Sequence, residues 1–526
     1  MLRIHWILIL LIIFFCHSHA AAATKYVNGS GDAWNGVGYL GSNNACTETG
    51  GYGAGSDSNA GTCASPWATL TYAAAHIASS DTVYVVPGTY TENHATQHCW
   101  YINQKGTWRG DGVFGSVIVH ADSAASRVAY VSNNANGSII DNFVFDAQGA
   151  ANISNPVLSL AWNNGTVTNC IVKNPRTTGV PRLIDTDSYA LTSLILTHNL
   201  FDTTNGTNGT NATCVRIGST TNAEITVNYN IFRSKSPATY MLLIGVDGTD
   251  SNSTHLNGAQ VIGNLFFGPL YYDIGIKGAT IHGMEVGDNA NATIAKNYFN
   301  GVPYGIVLKT PALTYTTGGV FENILINCGV GTAQAGIYAK GTQNVRVFNN
   351  VIWSDPAIFN SSTLFAGIEA DVNATGQFAT GLNIKNNIVV GPFFRPVFVG
   401  ADSSANFSAS NNLIFRGDSG TIIAGISGTT KIWSEWIADY DAKGVNSDPL
   451  FVLGGSDFHL LPNSPAVRTG TLTGEVGFSG YHTDYFGTII FNQPYDILNM
   501  GVSQALSGST IRPIGKILKG RLGTDF

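Results

Sequence analysis

Charge is what this chain has least of. Of 526 residues, 26 are Lys or Arg and 33 are Asp or Glu, together 11%, less than half the share usual in a soluble domain. The formal net charge of −7 removes the electrostatic basis for holding nucleic acid or an anionic membrane. No Cys-x-x-Cys or His-Glu-x-x-His spacing occurs, which excludes the common zinc arrangements. The longest apolar run, Trp6 to Phe15, is too short to span a bilayer. Helical periodicity is missing as well, since no pattern of useful length fits between residues 142 and 412.

In its place the chain repeats short alternating runs punctuated by asparagine. The segment from Gly336 to Trp353 shows one full unit. It has an alternating run to Lys340, a polar corner, a second run from Val345 to Phe348, Asn349-Asn350, and a third run from Val351 to Trp353. Period-two alternation places Ile337 and Ala339 on one face and Tyr338 and Lys340 on the other. The Asn recurs between apolar runs at 142, 169, 199, 230, 264, 297, 323, 350, 387 and 412, in steps of 25–37 residues. Such a unit buries its apolar face only by stacking on its neighbours. Asn suits the corner because it tolerates a left-handed backbone and its amide can bond the Asn one coil away. The pattern predicts an all-β chain, a right-handed parallel β-helix of about a dozen coils.

Arg3 and His5, the run Trp6 to Phe15 and the small residues up to Ala23 have the three parts of a secretory signal peptide and predict an exported, extracellular product. Six cysteines follow it. Cys46 and Cys63 bracket a Gly-rich loop and form the expected disulfide, which export permits, while Cys170 and Cys328 are expected as small buried thiols. Ser65 and Pro66 read as the cap and first residue of a helix from Trp67 to about Ala78, which would cover the open strand edges of the first coil. The expected organisation is a signal peptide over 1–23, an N-terminal cap over 24–80, the β-helix over 81–440, a closing segment over 441–500 and an unassigned basic tail over 501–526.

The stretches KYVNGSGDAWNG (25–36), ASPWATLTYAAAHIASSDTVYVVPGTYTE (64–92) and VNSDPLFVLGGSDFHLLPNSPAVRTGT (445–471) resemble the opening and closing segments of secreted right-handed parallel β-helix proteins of the pectate-lyase-like superfamily. The resemblance spans about residues 25 to 500 and implies the fold. It leaves the activity open, because such segments belong to many chains of different function.

Function is therefore sought on the outward face of the first strand of each coil. Aligning these strands on their inward aliphatics gives two ladders. One is Asp185, Arg216, Gly245, Glu285, Val307, Tyr338, Glu369 and Phe398, and the other is Asp187, Gly218, Asp247, Gly287, Lys309, Lys340, Asp371 and Gly400. Charges are concentrated here in a chain that has few. Coils stack about 4.8 Å apart, so Lys309 and Lys340 would lie side by side, and a like charge at that range favours loss of a proton from one of them. A lysine base beside a retained cation suits β-elimination of a uronic acid, in which the C5 proton is removed while the sugar carboxylate is neutralised. Lys309, Lys340 and Arg216 are the candidate catalytic residues, with His282, Tyr338 and Asp247 as substrate contacts. The superfamily resemblance further implies Ca²⁺ held by acidic residues of the same face, for which Glu285, Glu369 and Asp371 are the candidates.

Two other readings stay open. Stacked alternating charges can form an ordinary solvated ladder, as on a non-catalytic surface or adhesion solenoid. The segments Ile281 to Gly287 and Gly305 to Thr310 resemble polygalacturonase motifs, which would make His282 and Lys309 substrate-binding and Asp247 an acid. However, the paired aspartates that hydrolysis by inversion needs are missing from the adjacent coil. The expected ligand is an extracellular, acidic polysaccharide, and the oligomeric state is left undetermined.

Overall fold

The computed structural model describes residues 22–467 apart from 30–45, 47–50, 93–97, 122–124, 148–155, 176–181, 187–190, 205–211, 219–222, 236–238, 246–255, 270–281, 288, 310–317, 332–333, 373–375 and 455, together with 482–483 and 489–490. The signal peptide and the basic tail lie outside the described residues, as do Asp187 and Asp247.

Each coil contributes one strand to each of three parallel sheets. A representative coil runs through a long strand Tyr304–Lys309, a middle strand Gly319–Phe321 and, after the corner, a third strand Ile324–Ile326. The long strand pairs with Ala335–Lys340 of the next coil, the middle strand with Arg346–Phe348 and the third with Val351–Trp353, all in parallel. Repetition builds a long-strand sheet and a middle sheet of 13 strands each and a third sheet of 12, the dozen or so coils expected. Parallel crossovers of this kind are right-handed. Ile306 and Leu308 enter the central core, while Val307 between them joins a separate cluster on the outer face.

The corner divides between two residues the roles the sequence assigns to one. From the coil of Asn199 onward, the residue before each repeat Asn is left-handed. Examples are His198 (φ 58°), Tyr229 (φ 58°), Lys296 (φ 57°) and Glu322 (φ 55°). The Asn itself is buried and serves only the ladder. Asn323 Oδ1 accepts from the backbone N–H and the side-chain amide of Asn297, both at 3.0 Å, and Asn323 Nδ2 donates to Ile294 O at 3.0 Å and to Asn350 Oδ1 at 2.9 Å. Asn142 and Asn169 instead sit one position earlier, with φ of 64° and 51°. Cys170 therefore holds the ladder position of its coil and donates its backbone N–H to Asn199 Oδ1 at 2.9 Å. At the far end the fully buried Asp441 closes the ladder, its carboxylate accepting from Asn411 N at 2.7 Å and from both N–H groups of Asn412 at 2.9 Å.

Helices cover both ends. The N-terminal one is Leu70–His76, capped by Thr69 rather than Ser65. Trp67 is not helical because it bridges Val27 in parallel and exchanges backbone hydrogen bonds with Tyr26 and Asn28. Leu70, Ala73 and Ala74 pack into the same core as Trp100 and Trp108. A second helix, Trp433–Asp439, closes the other end with Trp436 fully buried beside Phe407 and Tyr440, an element the sequence reading does not contain. The closing segment then lays Phe458, Leu460 and Ala466 on the outer side of the third sheet, against Ile324, Val351, Ile388 and Leu413. Cys46 and Cys63 are bridged. Cys170, Cys214 and Cys328 are buried thiols, each pushed up to about 12 by burial.

Candidate functional site

Register along the long-strand sheet corrects the first ladder and keeps the second from Gly287 onward. Arg216 pairs with Leu243, Leu243 with Glu285, Glu285 with Val307, Val307 with Tyr338, Tyr338 with Glu369 and Glu369 with Phe398. Leu243 thus takes the place expected for Gly245, because Ile217 pairs with Ile244. The second ladder runs Gly287, Lys309, Lys340 and Asp371, as expected. A third outward row, absent from the sequence reading, passes through Tyr240, His282 and Tyr304 and further on from Ala335 through Ala366 to Arg395.

On a solenoid the outer face should be wet, yet here it buries acids. Glu285 is 1% exposed and Glu369 3%. An outer apolar cluster of Val307, Ala335, Tyr338 and Ala366, with Tyr304, Phe365 and Phe398 packed on it, surrounds them. Glu285 Oε1 lies 3.6 Å from Lys309 Nζ, so Lys309 has a carboxylate partner. Lys340 Nζ lies 5.5 Å from the centroid of the Tyr338 ring, which itself stacks on Tyr304 with centroids 6.2 Å apart. Glu369 Oε2 is buried with no hydrogen-bond partner.

Burial governs the protonation of this cluster. It pushes the Glu369 carboxyl up to about 8, helped by the negative Asp371 and opposed by Lys340. Burial also raises the Tyr304 phenol to about 12, with Glu369 and Glu285 adding to the shift. The Tyr338 phenol is raised by burial and then by Glu369 and Asp371. At neutral pH Glu369, Tyr304 and Tyr338 therefore all hold their protons, and the cluster combines three proton donors with two lysines.

The structure brings together Lys309, Lys340, Tyr338, Glu369, Asp371 and Glu285 over four consecutive coils. Arg216 lies apart, three strand spacings from Val307, about 14 Å. It donates from Nε to Asp185 at 3.1 Å, and Arg182 bonds the same fully buried carboxylate. His282 holds the register position between Tyr240 and Tyr304. Asp247 lies outside the described residues. The three acids assigned to Ca²⁺ do not converge, because Glu285 and Glu369 are also three strand spacings apart. Among the described residues no group of three or more His, Cys, Asp or Glu side chains is placed to hold a metal ion. Trp162, an aromatic that could have faced a sugar, is fully buried in the core. The residues missed by sequence reasoning are Tyr304 and Arg395. The signal for Arg395 was its spacing of three from Phe398, which Arg127 and Tyr130 repeat on an earlier coil.

A family described as a protein of unknown function (DUF1565) matches residues 53–259. No curated protein matches the chain. Among solved structures the chain is similar to XylC in complex with xylose, at 10% identity over 82% of this chain and 87% of that one, with a TM-score of 0.41. It is also similar to the PL6 family alginate lyase AlyGC, at 14% identity over 87% of this chain and 58% of that one, with a TM-score of 0.41. A third is pectate lyase Pel9A, at 12% identity over 92% and 98% of the two chains, with a TM-score of 0.35. The three stacked sheets make this chain a parallel β-helix.

Proposed function

We propose that the protein is an extracellular β-helix that binds an acidic polysaccharide on its long-strand face and cleaves it by β-elimination. One observation carries this reading: the outer face of a solenoid buries Glu369, protonated at neutral pH, among two tyrosines and two lysines. Packing of the coils needs none of these groups, and desolvating them costs stability.

Roles follow from the partners each group has. Lys309, 3.6 Å from Glu285, neutralises the carboxylate of the uronate. Lys340, its register neighbour, accepts the C5 proton. As the C4–O bond breaks, the electron pair of the former C–H bond becomes the C4–C5 double bond, and the leaving oxygen takes a proton from Tyr338 or Glu369. The stacked rings of Tyr304 and Tyr338 offer a platform for a sugar ring. The described carboxylates do not converge on one ion.

The test is the ultraviolet absorbance of the conjugated product while the protein is incubated with pectate, alginate or a glycosaminoglycan, in Ca²⁺ or in EDTA. Absorbance should rise and the Lys309→Ala/Lys340→Ala variant should abolish the rise. A flat trace with no new reducing ends on any of these polymers overturns the catalytic reading and leaves a non-catalytic surface solenoid.

A further inference from the structure

Among the described residues, the outward positions of the long-strand face from Arg127 to Arg395 carry six cations, Arg127, Arg182, Arg216, Lys309, Lys340 and Arg395, against four carboxylates, while the chain as a whole carries −7. Four of the cations sit within reach of a carboxylate or in the lysine pair already described. Among the described residues, the two at the ends do not.

Arg127 and Arg395 occupy equivalent places. Each begins a long strand, and each stands three residues before an aromatic on that strand, Tyr130 or Phe398. The guanidinium carbon of Arg127 lies 5.1 Å from the Tyr130 ring centroid, and that of Arg395 lies 5.0 Å from both Phe398 and Phe394. Arg182 has the same spacing of three, but to Asp185, and is ion-paired there. At both ends Nε is buried without a hydrogen-bond partner. The next coil leaves room for Arg395, since a Cβ on Gly425 would come within 2.6 Å of its Cδ and 3.0 Å of its Nε. His98 stacks on Tyr130 with ring centroids 4.9 Å apart and Tyr101 stacks on it at 5.7 Å, extending an aromatic surface beside Arg127.

A guanidinium is a planar fork matched to carboxylate and sulfate oxygens and stacks well on rings. Both arginines are half-buried, so the outer edge of each fork can meet an anionic group. Tyr130 and Phe398 are nine strand spacings apart, about 43 Å. Between them Arg182 and Arg216 both bond Asp185, so two further guanidinium groups lie along the face.

We propose that Arg127 and Arg395 are the end stations of a single track along which an anionic polysaccharide lies parallel to the solenoid axis, each arginine binding a carboxylate or sulfate group while its neighbouring ring packs on the sugar. This rests on the polysaccharide reading of the face and adds where, and by what charge, the polymer is held.

The test is equilibrium binding of the full chain to pectate, to its carboxyl-reduced form and to a sulfated glycosaminoglycan, for wild type, Arg127→Gln and Arg395→Gln. Each Gln variant should bind the preferred anionic polymer about tenfold more weakly, as loss of one charge-assisted hydrogen bond predicts, with binding of the carboxyl-reduced polymer unchanged. Pectate and the sulfated polymer separate carboxylate from sulfate as the group recognised. If a Gln variant misfolds, Arg127→Lys and Arg395→Lys keep stem and charge but lose the fork, and should bind several-fold more weakly with the salt dependence retained. Unchanged affinity in both Gln variants overturns the track, as does a loss confined to one end. Wild type binding none of the anionic polymers overturns the proposed function too, whereas lysine-dependent turnover with unaltered binding in the arginine variants overturns the track alone.

Discussion

Glu369→Gln tests the buried acid directly. In the folded protein the carboxyl is raised from 4.5 to about 8, so folding favours its neutral form. The stability it contributes is complete below about pH 4.5 and is lost as pH rises through about 8. The raised value corresponds to about 5 kcal/mol over that window, at ~1.4 kcal/mol per unit, which is an upper bound because water entry on ionisation lowers the cost. Gln mimics the protonated acid. The variant should therefore match wild type at pH 5 within about 1 kcal/mol, and should be more stable at pH 9 by several kcal/mol. Urea midpoints read by tryptophan fluorescence at pH 5, 7 and 9 measure this, and infrared spectra should show a carboxylic acid band at pH 6.5 that the variant lacks. Superimposable stability profiles from pH 5 to 9, or a variant less stable at pH 9, would refute the argument that Glu369 is folded as a neutral acid. If Glu369 supplies the leaving-group proton, activity in wild type should also fall as pH passes 8.

Asn323→Ala should lower stability by about 2–4 kcal/mol, since it strands Ile294 O and the Asn297 N–H groups in the interior. Urea denaturation checks it, and Asn323→Asp should recover only the accepting half of the bonds. Trp436→Ala removes a fully buried side chain from the C-terminal cap and should cost about 3–5 kcal/mol. Hydrogen exchange should show the loss first in residues 422–432, whose strands lie beneath that helix. Reducing the Cys46–Cys63 bridge, which spans 17 positions, should cost about 3 kcal/mol by the loop-entropy argument, read as faster proteolysis of the N-terminal cap under dithiothreitol.

The coil was legible in the sequence because its signals are local. Alternation sets which residues face inward, and a polar corner every 25–37 residues sets where the chain turns. What the corner does was less legible. A left-handed site can be filled by His, Tyr, Lys or Glu once the ladder holds the next residue, so residue type no longer marks it. Tyr229 pays the backbone strain of φ 58° and recovers part through its stack on His198, at 5.4 Å between ring centroids. Register failed at Leu243 for a different reason. The sequence reading aligned the inward aliphatics Ile244 and Val246 with Val215 and Ile217, whereas Leu242 and Ile244 pair with them. The C-terminal helix had a readable start, since Glu435 accepts from Ile432 N at 3.0 Å, but at seven residues its periodicity is too short to stand out.

The site was only half legible, because its defining property is burial on a face that alternation marks as outward. Lys309, Lys340, Glu285 and Glu369 could be placed on that face from period two alone. That Glu369 is dry could not, since Tyr338 and Lys340 reach it from the preceding coil, some 30 residues earlier in the chain. An exposed ladder of the same residues would titrate near ordinary values and be worth little. The distinction between an ordinary charge ladder and a reactive groove therefore rests on the apolar side chains between the charges, Val307, Ala335, Ala366 and Phe398. These small and apolar outward residues were the informative departure from a polar outer face. They cluster on the coils that carry the lysines and Glu369, where a low local dielectric strengthens every charge acting on a bound uronate.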